Sequence, residues 1–507
     1  MKKNILSAAI AVITMSAFSQ ASFALDATVT PDLQVYLSGA SAQDKGIDSL
    51  VKDLCLNGTV STTDLTTFKD DGGVANAVTG KKHTAWFCTI TSTSVTGLSA
   101  TKKVLFHKRS DGGSAMGVSP LLADTAIDHM VINNSNCATT GTTRSCRISN
   151  AGDLVAHKSD AGLSDVNPEM FKGILNTPAG FSSVKASDVT AKLVVRPSSA
   201  VIFGVPVGLN LYKALQQAQG LLTTSNPAGA CTEGAYTDAC MPNLNHAQVA
   251  SLLSGQIKDW SELSFGGTAL TAIAGVTAPT DSLVHICKRT AGSGTGAQMY
   301  AKFLNAPCTE GTLTVSAGDP FNGPVVHEVA ESLDLENCQE DLALGNVVAK
   351  DFNGDLINQG AQGDTAWSIG MQALEKNSDI AKAYRFVKID GAAPTLANAF
   401  NGSYSDWVEA TWQYRNTANS GPAGDTLKIV DKIIKNAGSP AKLNSLLNKT
   451  QPFGRTGYLA VAANGFAVTD TLDPALPVMP FTHAAAGSLN NCAAPAKSSS
   501  AAVISVK

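Results

Sequence analysis

Apolar and polar positions follow two different periods along this 507-residue chain. Short apolar runs bounded by Gly and Ser predict strands, and apolar residues recurring every three or four positions predict helices. The clearest helix is Lys45–Leu54, where Ile47, Leu50, Val51 and Leu54 share one face, following a strand at Leu33–Leu37. Helices are also predicted at Asn210–Gln219, His246–Leu253, Gly296–Leu304, Gly370–Glu375, Ser405–Tyr414 and Thr426–Asn436. Further strands are predicted at Lys192–Arg196, Ala200–Val207 and Tyr384–Lys388. Alternation of the two types argues an α/β fold with crossover connections. The stretches 131–147, 222–245 and 305–345 are Gly/Asn/Thr-rich, bear cysteines and lack a clear period, so they read as insertions stapled by disulfides.

Three strand-to-helix junctions share one chemistry. Near residue 289 an apolar run ends at Arg289, a turn follows through Gly292, Ser293, Gly294 and Thr295, and a helical pattern begins. The stretch from Val104 repeats the plan, running into Lys108-Arg109 and then Gly112, Gly113 and Ser114. A third copy follows Leu33–Leu37 as Ser38-Gly-Ala-Ser-Ala-Gln-Asp44. A helix start leaves backbone N–H groups unpaired, its dipole favours negative charge, and small residues let an anion approach. Arg289 adds a planar fork suited to an oxyanion.

Residues 1–24 have the form of a secretory signal peptide: Lys2 and Lys3, an apolar stretch from Ile5 to Phe18, and Ser22-Phe23-Ala24 before cleavage. No cysteine follows that point as a lipid anchor, and no later run reaches the ~20 apolar residues of a membrane span. The expected location is periplasmic or secreted. Ten cysteines in an exported chain read as disulfides. Cys137–Cys146 and Cys231–Cys240 close short loops, Cys55–Cys88 is a third candidate, and the other pairings stay open. A net charge of −4 gives no basic footprint for nucleic acid. No His-Glu-x-x-His, Gly-x-Ser-x-Gly or Gly-x-x-x-x-Gly-Lys motif occurs; Asp351–Asp355 starts like a calcium loop, but Leu356 occupies the required glycine position and Gln362 replaces the bidentate glutamate. No metal, cofactor or catalytic residue is expected.

Five motifs in order resemble the phosphate-binding proteins of bacterial phosphate ABC importers, in the type II periplasmic-binding-protein class. They are Gly39-Ala-Ser-Ala-Gln43, Gly113-Ser-Ala-Met-Gly117, Ala161-Gly-Leu-Ser-Asp165, Leu252–Trp260 and Arg289-Thr-Ala-Gly-Ser-Gly-Thr295. The resemblance implies two α/β lobes with a ligand cleft between them: residues 25–200 with 387–492, and 201–386, followed by a flexible tail at 493–507. The tail itself is read from composition, residues 493–507 being rich in Ala, Ser, Pro and Lys. The resemblance implies phosphate or a similar oxyanion bound by Arg289, Ser293, Gly294 and Thr295 from one lobe. Ser41, Ser114 and Asp165 would bind from the other, Asp165 accepting the ligand's own proton. The partner it implies is an inner-membrane ABC permease.

This chain departs from the family where Gln43 and Asp44 replace Thr-Phe, and where Ala291 replaces an aspartate that braces the arginine. Asp44 would repel an anion if turned inward, or cap the following helix if turned to the backbone. The chain is also longer than the usual member. Two other functions fit the same residues: a surface-attachment or extracellular-assembly protein reusing the fold, and a secreted phosphatase.

Overall fold

A computed structural model describes residues 26–55, 64–222, 230–309, 313–377, 380–447, 450–451, 454–455 and 457–501. The expected signal peptide lies outside the described residues. The chain first lays down β1 (Leu33–Gly39), α1 (Asp44–Leu54), β2 (Thr66–Asp70), β3 (His83–Ile90) and β4 (Lys102–Arg109). Next come β5 (Thr143–Cys146), β6 (Ala161–Ser164) and β7 (Leu193–Gly204). It then builds β8 (Pro206–Gly208), α2 (Leu209–Ala218), α3 (His246–Leu253), β9 (Asp281–Arg289) and α4 (Gly294–Leu304). This part continues with β10 (Val325–Val329), α5 (Ser332–Leu344), β11 (Ala366–Gly370), β12 (Gln372–Ala373) and β13 (Tyr384–Phe386). The return leg is β14 (Trp407–Arg415), α6 (Gly424–Ala437), β15 (Tyr458–Val461) and β16 (Val478–Met479).

Hydrogen bonding sorts these strands into two lobes of one α/β molecule. The first sheet has eleven strands in the order β16-β15-β7-β14-β6-β1-β4-β3-β2-β5, with β12 paired onto β7. The second has five, in the order β10-β9-β11-β8-β13. The chain passes between them at Val205 and again after Phe386, and Gln372 dips back to pair with Gly204. β1 runs parallel to both β4 and β6, and β9 runs parallel to both β10 and β11. Parallel neighbours need crossover helices. α1 supplies one by burying Ile47, Leu50, Val51 and Leu54, the face its period marks. Each such side chain contributes about 1.5–3 kcal/mol on burial. α6 buries Ile429, Val430, Ile433 and Ile434 in the same way.

Two predicted helices are strands instead. Ser405–Tyr414 overlaps β14, which lies between β7 and β6 and is buried along nearly its whole length. A strand covered on both faces loses the alternation that identifies it, and Trp407, Val408, Thr411, Trp412 and Tyr414 then favour the strand. Gly370–Glu375 is the end of β11 followed by β12. Lys192–Arg196 and Ala200–Val207 are largely one strand, β7, with β8 beyond Val205. The segment 305–345 is not wholly an insertion, because β10 and α5 belong to the second lobe's sheet and its cover.

All ten cysteines are paired: Cys55–Cys88, Cys137–Cys146, Cys231–Cys240, Cys287–Cys338 and Cys308–Cys492. The last bond ties the segment after α4, in the second lobe, to the C-terminal segment. That segment is packed where described: Ala496–Lys497 pairs with Phe481–Thr482, and Ala501 is buried. The described part of the expected flexible tail is therefore held against the protein. Among the described residues no helix is long and apolar enough to cross a membrane.

Candidate oxyanion site

Parallel strands of both sheets deliver their carboxyl ends to one place, where open α/β sheets commonly bind ligands. β1 ends at Gly39, β4 at Arg109, β6 at Ser164 and β9 at Arg289. Gly39 has a φ of 110°, and a Cβ there would lie 2.0 Å from Leu163 O, so the first turn passes β6 only as glycine. Ser41 and Gln43 follow, both buried. Ser114 Oγ donates to Asp165 Oδ2 at 3.1 Å and accepts from Asp165 N at 3.1 Å. Gln43 Nε2 donates to Asp165 Oδ1 at 2.8 Å. Burial raises the Asp165 pKa, while the donors Gln43 and Ser114 and the charge of Arg289 oppose the rise.

The second lobe meets this cluster directly. A Cβ on Gly294 would lie 2.3 Å from Ser114 Oγ and 2.7 Å from Asp165 Cβ, so α4 starts against the first lobe. Ala115 N donates to Gly292 O at 2.8 Å, joining the two glycine-rich turns. Ser293 caps α4, its Oγ accepting from Gly296 N at 3.1 Å. Thr295 Oγ1 is buried without a hydrogen-bond partner.

Arg289 is 2% exposed and each of its three nitrogens is engaged. Nη1 donates to Ser332 Oγ at 2.9 Å and Nη2 to Ser41 Oγ at 3.2 Å. Nε and Nη2 donate to Ala330 O at 2.9 and 2.5 Å. These oxygens brace the guanidinium where Ala291 offers no carboxylate. Burial lowers the arginine's pKa, and the acidic groups Glu331 and Asp165 oppose that fall.

Asp44 neither caps α1 nor stands unpaired. It is the first residue of the helix, and Gln43 occupies the cap position without a side-chain capping bond. Its Oδ1 accepts from Lys108 Nζ at 3.2 Å and from Ser110 Oγ at 2.8 Å. Lys108 is buried and also donates to Gly39 O at 2.8 Å. A buried cation thus accompanies the carboxylate that the sequence set against an anion.

Beside Ser41 and Ser332 opens a cleft of about 260 Å³. Of the seven residues named from the sequence, only Ser41 lines it; Ser114, Asp165 and Gly294 are in contact with one another, and Arg289 is joined to the cleft through Ser41 and Ser332. Sequence reasoning missed Ser332 and the role of Gln43. Ser332 follows strand β10, which ends at Val329, and begins α5, so it is a fourth strand-to-helix junction. It was hidden in a segment read as an insertion. Among the described residues no group of three or more His, Cys, Asp or Glu is placed to hold a metal ion.

No family model matches the sequence, and no curated protein does. Solved structures that are similar include a putative phosphate ABC transporter substrate-binding protein with bound phosphate from Clostridium perfringens. It is 13% identical, with 79% of this chain and 92% of that one covered and a TM-score of 0.38. An ABC-type phosphate transport receptor from Vibrio cholerae is 10% identical over 79% and 93%, with a TM-score of 0.35. PstS from Borrelia burgdorferi is 10% identical over 80% and 98%, with a TM-score of 0.31. Likeness at this level assigns no ligand.

Proposed function

We propose that this chain is an exported solute-binding protein that captures phosphate or a similar oxyanion between its lobes, for delivery to an inner-membrane ABC permease. The observation that carries the reading is Arg289, a buried guanidinium at the carboxyl end of β9, holding hydroxyls from both lobes, Ser41 and Ser332. Two serine hydroxyls on an arginine fork are neutral stand-ins that an oxyanion replaces with stronger, charge-assisted bonds. Asp165 next to the α4 start supplies an acceptor for a ligand that keeps a proton, and a fully ionised anion leaves that carboxylate facing like charge. No bond to the ligand is made or broken in this role.

Calorimetric titration of stripped protein with phosphate, and separately with sulfate, tests the reading. Saturable phosphate binding below millimolar concentration, with sulfate weaker, is expected. Absence of saturable binding at millimolar phosphate would overturn it.

A second reading, surface attachment or extracellular assembly on the same fold, is favoured by two observations. Cys308–Cys492 bonds the second lobe to the C-terminal segment, and the Gly292 and Ser114 turns are in contact across the lobes. A protein that never opens has no use for a ligand between its lobes. Failure of the titration with intact disulfides, and no gain of binding on reduction, would select that reading.

A further inference from the structure

The cleft beside Ser41 and Ser332 is larger than one oxyanion needs. Its volume is about 260 Å³. A phosphate ion displaces on the order of two waters of ~30 Å³ each, so room remains for a second group of that size. Its walls are polar: among the lining residues only Leu333 and Trp86 carry large apolar side chains. The Trp86 indole is itself buried and donates to Asp48 Oδ1 at 2.7 Å. A nucleobase or an acyl chain would find little to pack on.

The acids of the walls are already answered. Asp44 holds Lys108 at 3.2 Å and Asp48 holds Lys52 at 2.8 Å. Glu331 belongs to the capping box that starts α5, with Asp334 as its counterpart, and its carboxyl oxygens are closed to the cleft. Burial first, and then Asp334, raise its pKa. Glu336 is buried too; burial raises its pKa, and the charges of Lys376, Lys45 and Lys382 oppose the rise. No wall carboxylate is left over to repel a ligand's charge without a cation beside it.

The lysines are not all answered. Lys81 is bridged to Asp334 at 2.6 Å and Lys376 to Glu375 at 3.4 Å. Lys45 and Lys69 also line the cleft, and among the described residues neither has a carboxylate partner. Lys45 Nζ donates to a carbonyl, Glu375 O, at 3.2 Å. Lys69 stands on β2 opposite Thr84 of β3. Its stem lies against Gly80, where a Cβ would come within 3.0 Å of Lys69 Cδ. A half-buried ammonium with no counter-charge gains a charge-assisted bond from any anion that reaches it. Two such lysines, in the same cleft as the Ser41–Ser332–Arg289 floor, provide for a second negative group.

We propose that the cleft takes a compact ligand with two anionic groups, of the diphosphate class, with one phosphoryl group on the Ser41–Ser332–Arg289 floor and the other on Lys69 and Lys45. The proposal rests on the oxyanion reading above and narrows its ligand class.

The test titrates the full mature chain, disulfides intact, with inorganic phosphate, inorganic diphosphate and glycerol 3-phosphate, which matches diphosphate in size but has one anionic group. Salt is kept at about 0.15 M, where charges more than about 8 Å apart are largely screened. Diphosphate is expected to bind at least about tenfold more tightly than either of the others. In Lys69→Gln the ratio of diphosphate to phosphate affinity should fall about tenfold, with phosphate affinity itself little changed. Lys172→Gln removes the same charge from an exposed lysine outside the cleft and should leave the ratio as it is. Circular dichroism of each variant establishes that it is folded. Phosphate or glycerol 3-phosphate binding as tightly as diphosphate would overturn this proposal while leaving the oxyanion reading intact. An unchanged ratio in folded Lys69→Gln, or an equal fall in Lys172→Gln, would also overturn it. Binding of none of the three would remove both readings.

Discussion

The hydroxyls of Ser41 and Ser332 lie 3.2 Å apart, one delivered by the turn after β1 and the other by the turn after β10, and Arg289 donates to both. The two lobes are thereby joined by side chains small enough to yield to a ligand and polar enough to be replaced by one. Around this pair the contacts are stiffer. The Gly292 and Ser114 turns touch, and Gln298 Nε2 on α4 donates to Asp406 Oδ1 in the first lobe at 2.6 Å.

Arg289→Ala should cost at least about 2 kcal/mol of oxyanion binding, since a buried charge-assisted partner is lost. Calorimetry against the wild type checks this. Arg289→Lys should recover only part, because a point charge cannot hold Ser41, Ser332 and Ala330 O together as the fork does.

Asp165→Asn should weaken phosphate binding while narrowing the gap to sulfate, since an amide can donate to an anion that carries no proton. Competition of sulfate against phosphate in both proteins measures the gap. A gap as wide as in the wild type would show that Asp165 does not read the ligand's proton.

Gly294→Ala should separate the two turns. Its Cβ would lie 2.3 Å from Ser114 Oγ and 2.7 Å from Asp165 Cβ, and the second contact cannot be relieved by rotating a hydroxyl. A larger radius of gyration by X-ray scattering and weaker anion binding are the expected outcomes.

Cys308→Ser with Cys492→Ser removes a crosslink that spans 184 residues and joins the lobes. Loss of native disulfides of this kind costs about 2–5 kcal/mol. Denaturant unfolding should show that loss, and association with any ligand should become faster because the lobes separate more readily. The wild type should show no reactive thiol when denatured without reductant.

Acid should weaken the first lobe through its buried histidines. His107 and His129 flank Tyr36, and burial lowers their pKa values to about 4 and about 2. Both lie below the unfolded value of about 6.5, so the unfolded chain binds more protons as pH falls below that point. Their contribution is complete above about pH 6.5 and declines as pH falls towards the folded values, on the order of 3 kcal/mol for His107. Asp160, raised to about 6 by burial, opposes this because its folded form takes up the proton first. The melting temperature should therefore drop between pH 7 and pH 4.5, and by less in His129→Phe. Both ring nitrogens of His129 lack a hydrogen-bond partner, so the substitution removes a proton site without breaking a bond.

Much of the local structure was legible from the chain alone. The period of Ile47, Leu50, Val51 and Leu54 marks the buried face of α1, and the turn from Arg289 to Thr295 marks the start of α4. These are short-range properties: side-chain period, turn chemistry, and glycine where the backbone needs it. β14 was misread because its neighbours on both faces erase the alternation that a half-exposed strand would keep.

What only the tertiary structure decided is the choice of partners. The sequence by itself placed Gln43 and Asp44 at one turn; folding set the first on Asp165 and the second on Lys108. It left Cys308 and Cys492 without partners, and the meeting of the segment after α4 with the C-terminal segment joined them. It put Ser332 in a cysteine-bearing stretch, and the parallel pairing of β10 with β9 brought that hydroxyl to Arg289. Such contacts span tens to hundreds of residues, and local period carries no record of them, because burial and charge pairing depend on which elements the two sheets bring together.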